Sequence, residues 1–275
     1  LLTDDKQIHP VDRDTLVRLG KKKIPRAIAT GRSLYSITRA LSLMDMADPD
    51  GTLRLPVDFL IFSTGAGVLD VSTNQVIFRQ SIPESEAGRI VQAFVQMDLD
   101  FSLHRAVPDT HHFLYRASGR PNPDFEHRLS LYADFGQPMD PGQDRFFPAT
   151  QAVAIMEPAA DRHQERWVAQ VRSRLSAYSV VQTTSPLDHQ SLWIEVFHPG
   201  VSKSLTAGWL VDRLGLDAGQ VTAVGNDYND LDLLNWAGQA FAVLNAPLQI
   251  RKRFRTVPAN NDCGLTRAVT MAGLL

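Results

Sequence analysis

Val221-Thr222-Ala223-Val224-Gly225-Asn226-Asp227-Tyr228-Asn229-Asp230-Leu231-Asp232-Leu233-Leu234 is the stretch on which the fold turns. Its first four residues are β-branched or small and apolar, which predicts a short buried strand over 221–224. Turn-forming residues follow, and then a leucine-rich helix running to Trp236. Strand, polar turn and helix in close succession are the opening of a βαβ unit. In open α/β sheets ligands bind beyond the carboxyl ends of the strands, so the polar turn is a candidate site. Asn226, Asp227, Asn229 and Asp230 place two carboxylates and two amides there. Such hard oxygen ligands suit Mg²⁺, which takes one or two protein carboxylates and completes its shell with water and phosphate oxygens. Asn, Asp and Gly also favour bends for purely local reasons, and that reading stays open at this point.

The same alternation recurs at the other end of the chain. Pro25 to Ala29 reads as a buried strand, followed by Thr30-Gly31-Arg32-Ser33 and a helix through Met46 with Leu34, Ile37, Leu41 and Met44 on one face. A hydroxyl, a glycine that admits close backbone approach and fresh helix N–H groups make an anion site. An ordinary N-cap by Ser33 is the simpler alternative. Gly200-Val201-Ser202-Lys203 precedes a helix over 203–214. Lysine at a helix start opposes the dipole, and holding an anion would explain it, unless the side chain simply extends into water. Val57 to Phe62 is a further buried strand. Alternation at both ends predicts an α/β core with one parallel sheet built from the two chain ends.

The middle reads differently. Gly67 to Asp70 and Val76 to Phe78 flank a hairpin turn. Strands are expected near 101–105, 152–156, 180–183 and 192–197, helices over 83–97, 124–133 and 163–177, and loops over 119–124 and 136–148. This is an inserted α+β block. The boundaries drawn are 1–79 with 198–275 for the core and 80–197 for the insertion.

Composition narrows the function classes. The chain has 275 residues, a formal net charge of −2 and a single cysteine, Cys263. No global basic surface favours nucleic acid, no intrachain disulfide can form, and no apolar run approaches the length of a membrane span. The expectation is a soluble, cytoplasmic protein. Lys21-Lys22-Lys23 reads as a solvated helix end. His111-His112 is read as strand neighbours pointing to opposite faces, hence not a metal pair. Cys263 is read as structural.

Together the clusters resemble the Cof-type phosphatases of the haloacid dehalogenase superfamily, over essentially the whole chain. Ile28-Ala29-Thr30-Gly31-Arg32 resembles the second motif, Ser63-Thr64-Gly65-Ala66 the S-N-G-A segment, Gly200-Val201-Ser202-Lys203-Ser204 the third motif, and Val224 to Leu234 the fourth. Leu244-Asn245-Ala246 and Asn261-Asp262-Cys263-Gly264 match its closing segments. The resemblance implies a Rossmann-like core with an inserted α/β cap, and Mg²⁺-dependent hydrolysis of a small phosphorylated metabolite, such as a sugar phosphate, through an aspartyl-phosphate. It implies that Thr30, Lys203 and Asn229 are catalytic, that Gly31, Arg32, Thr64 and Gly65 bind the phosphate or substrate, and that Asn226, Asp227 and Asp230 surround the metal. Asp230 is open to a second role, fixing Lys203 by an ion pair.

Two departures shape the expectation. Leu1-Leu2-Thr3-Asp4-Asp5 looks like the continuation of the family's opening D-x-D-G-T, which places the nucleophilic and acid/base Asp just ahead of Leu1. The chain as given is then expected to be inactive, with unpaired strand edges in its core. Asn226 stands where the metal-binding Asp is usual. Two alternatives follow: a phosphometabolite-binding protein without hydrolysis, and a phosphatase for a glycosyl phosphoglycerate or disaccharide phosphate.

Overall fold

The structure, a computed structural model, describes residues 2–5, 7–140, 143–157 and 161–275. Leu1 and two positions of the 136–148 loop expected from sequence lie outside these. In chain order the elements are α1 (Pro10–Lys21), β1 (Ala27–Ala29), α2 (Leu34–Ser42), β2 (Phe59–Phe62), β3 (Gly67–Asp70) and β4 (Gln75–Arg79). Then come α3 (Glu84–Gln96), β5 (Asp100–Arg105), β6 (Phe113–Arg116), α4 (Pro123–Leu131), β7 (Gly136–Pro138), β8 (Ala149–Met156), α5 (Asp161–Arg174), β9 (Ser179–Thr184) and β10 (Leu192–Phe197). The chain ends with α6 (Lys203–Arg213), β11 (Thr222–Gly225), α7 (Leu231–Trp236), β12 (Gln239–Val243), α8 (Leu248–Arg251), β13 (Arg255–Val257) and α9 (Gly264–Met271). Packing divides them into two compact units. One comprises the chain up to Arg32 with Ile37–Phe78 and Ser202–Leu275; the other comprises Ser33–Ser36 and Arg79–Val201.

The first unit is α/β, but the single parallel sheet expected from sequence is two sheets. One has the order β1-β2-β3-β4, the other β11-β12-β13. β1 pairs in parallel with β2, and β2 turns back on β3 through a short 3-10 turn at Ser63–Gly65. β11, β12 and β13 all run parallel. Among the described residues β1 pairs with β2 alone and β11 with β12 alone, so each stands at the edge of its own sheet. The three-residue β1 is only partly buried, whereas β2 is almost wholly covered. The apolar runs of β12 and β13 are short, and the sequence reading did not pick them out.

The second unit is a six-stranded sheet, β7-β6-β5-β8-β10-β9. Successive residues of a strand face opposite sides, and here both sides are used. Phe101, Leu103, Ala152, Ala154, Ile194 and Val196 pack with Ile90 and Phe94 of α3 and Val168 and Val171 of α5. The apolar spacing of α3, with Ala87, Ile90, Val91 and Phe94 buried, makes the single stripe such a helix needs. On the other side Val153, Ile155 and Trp193 meet Phe125 of α4. α4 starts at Pro123 behind Asn122, whose side chain caps the Phe125 N–H.

Two sequence expectations change here. Gly136–Pro138, read as loop, forms β7 by pairing in parallel with β6. His111 and His112 lie in the turn before β6 rather than on a strand, and their rings sit 4.3 Å apart instead of on opposite faces. The turn closes through the His112 N–H donating to the Asp109 carbonyl, so the alternation rule does not apply.

Candidate active site

The candidate residues of the first unit come from four segments that sequence separates widely. After β1, Thr30 donates its N–H to the Ile61 carbonyl and accepts the Thr64 N–H on its own carbonyl, tying this loop to the end of β2. The Thr30 hydroxyl oxygen accepts the Arg32 N–H at 3.1 Å, which leaves its own proton to donate. The Gly31 N–H has no acceptor among the described residues. Arg32 is exposed. Ser33 Oγ accepts the Ser36 N–H, the geometry of an N-cap for α2.

Ser63, Thr64 and Gly65 all have positive φ, at 48°, 58° and 106°. For a β-branched residue such as Thr64 this is a true outlier, and such strain clusters at functional sites. Gly65 is obligatory. A Cβ there would run into the Ser202 carbonyl oxygen and lie 2.7 Å from Thr206 Oγ1. Thr206 instead donates its hydroxyl to the Gly65 carbonyl at 2.7 Å, fixing the turn to α6. Ser63 Oγ is buried without a hydrogen-bond partner among the described residues.

Lys203 opens α6 behind the N-cap Ser202, which accepts the Leu205 N–H. The lysine does not extend into water: its residue is 3% exposed. Its ammonium donates to Asp230 Oδ1 at 2.6 Å. That pairing answers the unfavourable helix dipole. Asp230 Oδ2 accepts the Asn226 N–H at 2.9 Å and the Asp227 N–H at 3.4 Å. Both oxygens of Asp230 are thereby engaged. Asp232 Oδ2 accepts the Ser204 N–H, a second tie between the start of α6 and α7. Gly225 permits this packing, since a Cβ there would lie 2.8 Å from that of Asp230.

A Cβ placed on Gly31 would lie 3.5 Å from Thr64 Oγ1 and 3.8 Å from Asn229 Nδ2. The ends of β1, β2 and β11 therefore meet, bringing Gly31, Thr64 and Asn229 together. Asn226 and Asp227 are exposed at the rim of the β11 turn. Asp227 Oδ1 accepts the Tyr228 N–H, and the side chain closes a capping box with Asp230. Among the described residues no group of three or more His, Cys, Asp or Glu is arranged to hold a metal. The oxygens that remain are those of the exposed Asp227 carboxylate and Asn226 amide, with the half-buried Asn229 amide beside them. That donor set fits a magnesium ion bound mainly through water and phosphate, and would not fit a cation requiring a full protein cage.

One string passed over in the sequence reading is Asp48-Pro49-Asp50-Gly51-Thr52, a literal D-x-D-G-T. The structure gives it another job. It is a turn between the bridged residues Ala47 and Leu53, closed by the Gly51 N–H on the Asp48 carbonyl, with Gly51 at φ 84°. Asp48 pairs with Arg54 at 3.0 Å, and Asp50 accepts the Thr52 N–H, which lowers its pKa below the usual carboxylate value. Among the described residues no strand leads into it, and no hydrogen bond or ion pair joins it to Thr30, Lys203 or Asp230.

The haloacid dehalogenase-like hydrolase family matches residues 1–268. The chain is 21% identical over 279 aligned positions to the protein named "Putative phosphatase YxeH" of Bacillus subtilis, covering 98% of this chain and 93% of that one. The fold is similar to that of the haloalkanoate-superfamily phosphatase BT1666 from Bacteroides thetaiotaomicron, with TM-score 0.74, 19% identity, and coverage of 100% of this chain and 92% of that one. It is also similar to the subclass IIB sugar phosphatase BT4131, with TM-score 0.72, 16% identity, and coverage of 100% and 96%. A match running almost end to end, over a chain whose ordered motifs meet at the ends of three strands, places it: it belongs to the haloacid dehalogenase-like hydrolases, among the Cof-type phosphatases that its motifs resemble.

Proposed function

We propose that the protein is a Mg²⁺-dependent phosphomonoester hydrolase for a small phosphorylated metabolite, with a sugar phosphate as the first substrate class. The observation that carries this reading is the buried ammonium of Lys203, paired to Asp230 at 2.6 Å at the start of α6. A buried charge so fixed is a ready partner for a phosphoryl oxygen. The Thr30 hydroxyl and the Gly31 N–H orient the phosphoryl group, and Arg32 meets it from the exposed side. Asn229 donates to it, while Thr64 and Gly65 shape the wall. Asp230 acts through Lys203 and the Asn226 N–H, as a positioning residue. Asn226 and Asp227 would hold magnesium, which supplies positive charge against the phosphate oxygens. The attacking carboxylate, which forms the aspartyl-phosphate, and its acid/base partner are assigned to the D-x-D-G-T that the resemblance places ahead of Leu1. The sugar class takes support from the sugar phosphatase whose fold this chain shares.

The test is phosphate release from a panel of sugar, glycosyl-phosphoglycerate and disaccharide phosphates, with magnesium and with chelator. Both the 275-residue chain and a chain extended upstream are assayed. The expected result is turnover by the extended chain, abolished by chelator, and binding without turnover by the shorter one. An extended chain that carries the motif yet releases no phosphate overturns the reading. In that event the non-hydrolytic binding protein stands, a reading that the amide at 226 favours.

A further inference from the structure

The second unit contains a cavity of about 410 Å³. That is within the range of small-molecule sites, and it is lined entirely by residues outside the cluster just described. Arg105 places its guanidinium carbon over the Phe147 ring, 5.0 Å from the centroid. A cation–ring contact holds the guanidinium without using its N–H donors. None of them has a hydrogen-bond acceptor among the described residues. Phe135 presents a second ring to the cavity, nearly perpendicular to the His112 imidazole at 5.2 Å. Asp109, Gln137 and His112 add one carboxylate, one amide and one imidazole to the lining.

We propose that this cavity binds an acidic sugar or polyol: a hydroxylated ligand carrying an anionic group. Each part of the lining selects one part of such a molecule. The free fork of Arg105 matches a carboxylate or similar anion bidentately. The Phe135 ring takes an apolar C–H surface. Asp109 accepts from hydroxyls, Gln137 both donates and accepts, and His112 completes the set. A purely apolar ligand would leave the Arg105 and Asp109 charges unanswered. A bare inorganic anion would face Asp109 and leave the aromatic wall unused.

The test uses glucuronate, an unphosphorylated sugar acid, so its outcome does not depend on the hydrolase reading. Calorimetric titration of the full chain is expected to show saturable binding of glucuronate and at least tenfold weaker binding of glucose. Arg105→Ala is expected to weaken glucuronate at least tenfold, and Arg105→Lys to recover part of the loss. Arg105 is exposed, so both variants fold, as circular dichroism checks. Asn229→Ala, in the first unit, is expected to leave glucuronate affinity unchanged. Absence of saturable binding, equal affinity for glucose, or full affinity in Arg105→Ala overturns the proposal. So does loss of binding in Asn229→Ala.

Discussion

Lys203 Nζ lies 2.6 Å from Asp230 Oδ1, and both side chains are shielded from solvent. The pair is conditional: each charge tolerates burial only while the other is present. Removing one partner of a buried ion pair costs about 3–5 kcal/mol, because the remaining charge is left unpaired. Asp230→Ala is therefore expected to lower the unfolding midpoint in urea and to abolish phosphate binding. Lys203→Met, which retains the stem and removes the charge, is expected to abolish phosphate binding too. Urea titration and equilibrium dialysis with inorganic phosphate check both, and a fully stable Asp230→Ala protein would contradict the assignment.

Thr64 holds φ 58°, where Asn sits with less strain because its short amide tolerates the left-handed region. Thr64→Asn is expected to relieve about 1 kcal/mol of strain. For a chain of this size that raises the melting temperature by roughly 2–4 °C. Differential scanning calorimetry reads it, and an unchanged or lower midpoint means that the threonine hydroxyl compensates for its backbone.

A Cβ on Gly31 meets its neighbours only at ordinary van der Waals distances. Gly31→Ala is therefore expected to fold with near-native stability. The added methyl occupies the space between Thr64 and Asn229 where a phosphoryl oxygen would lie, and phosphate affinity is expected to fall about tenfold, roughly 1.4 kcal/mol. Full affinity in a folded Gly31→Ala protein moves the phosphate elsewhere.

His104 in β5 is buried, and its hydrogen bonds reveal its tautomer. Nδ1 lies 2.8 Å from the Thr110 carbonyl, which can only accept, so Nδ1 carries the proton. Nε2 then accepts from the Ser102 hydroxyl at 2.9 Å and from Arg128 Nη2 at 3.3 Å. Burial, reinforced by the Arg128 charge and only partly offset by the Thr110 carbonyl, pushes its pKa down from 6.5 to about 3. The unfolded chain therefore binds a proton that the folded chain refuses. His104 therefore costs no stability well above pH 6.5, and below it stability falls by up to about 1.4 kcal/mol per unit as pH drops toward 3. Urea midpoints between pH 7 and pH 5 are expected to drop steeply in the native protein. The drop is expected to be shallower in His104→Gln.

Asn226 sits where a carboxylate would add charge toward a cation. Asn226→Asp is expected to lower the magnesium concentration needed for half-maximal binding, and Asp227→Asn to raise it. Magnesium titration by calorimetry, with no substrate present, checks this independently of turnover. If Asp227→Asn leaves magnesium binding unchanged, Asp227 is not a ligand.

The order of the site segments was legible in the sequence because each is a short polar run after an apolar one. Thr30, Lys203 and Asp230 stood out by chemistry that their positions do not require. What the sequence reading could not supply was pairwise commitment. Asp230 offers the same carboxylate to a metal as to a lysine, and only the geometry shows both oxygens engaged. The literal D-x-D-G-T at 48–52 is the converse case, since Asp-Pro-Asp-Gly is also an ideal turn sequence. The single sheet expected of the core became two because periodicity identifies strands without naming their neighbours. The adjacent His111 and His112 rings were misplaced for a related reason: alternation holds only where the backbone is extended.

Engagement of both Asp230 oxygens also fixes the charge inventory of the site. Lys203 and Asp230 cancel, and Arg32 and Asp227 cancel formally as well, so these four side chains add no net charge, and Asp232, held on the Ser204 N–H, adds one negative charge. A carboxylate at 226 would add a second and repel a phosphate dianion more strongly until a cation arrived. An amide there leaves one negative charge fewer to repel a phosphate, so on the proposed reading the order in which phosphate and cation add is sensitive to a single side chain.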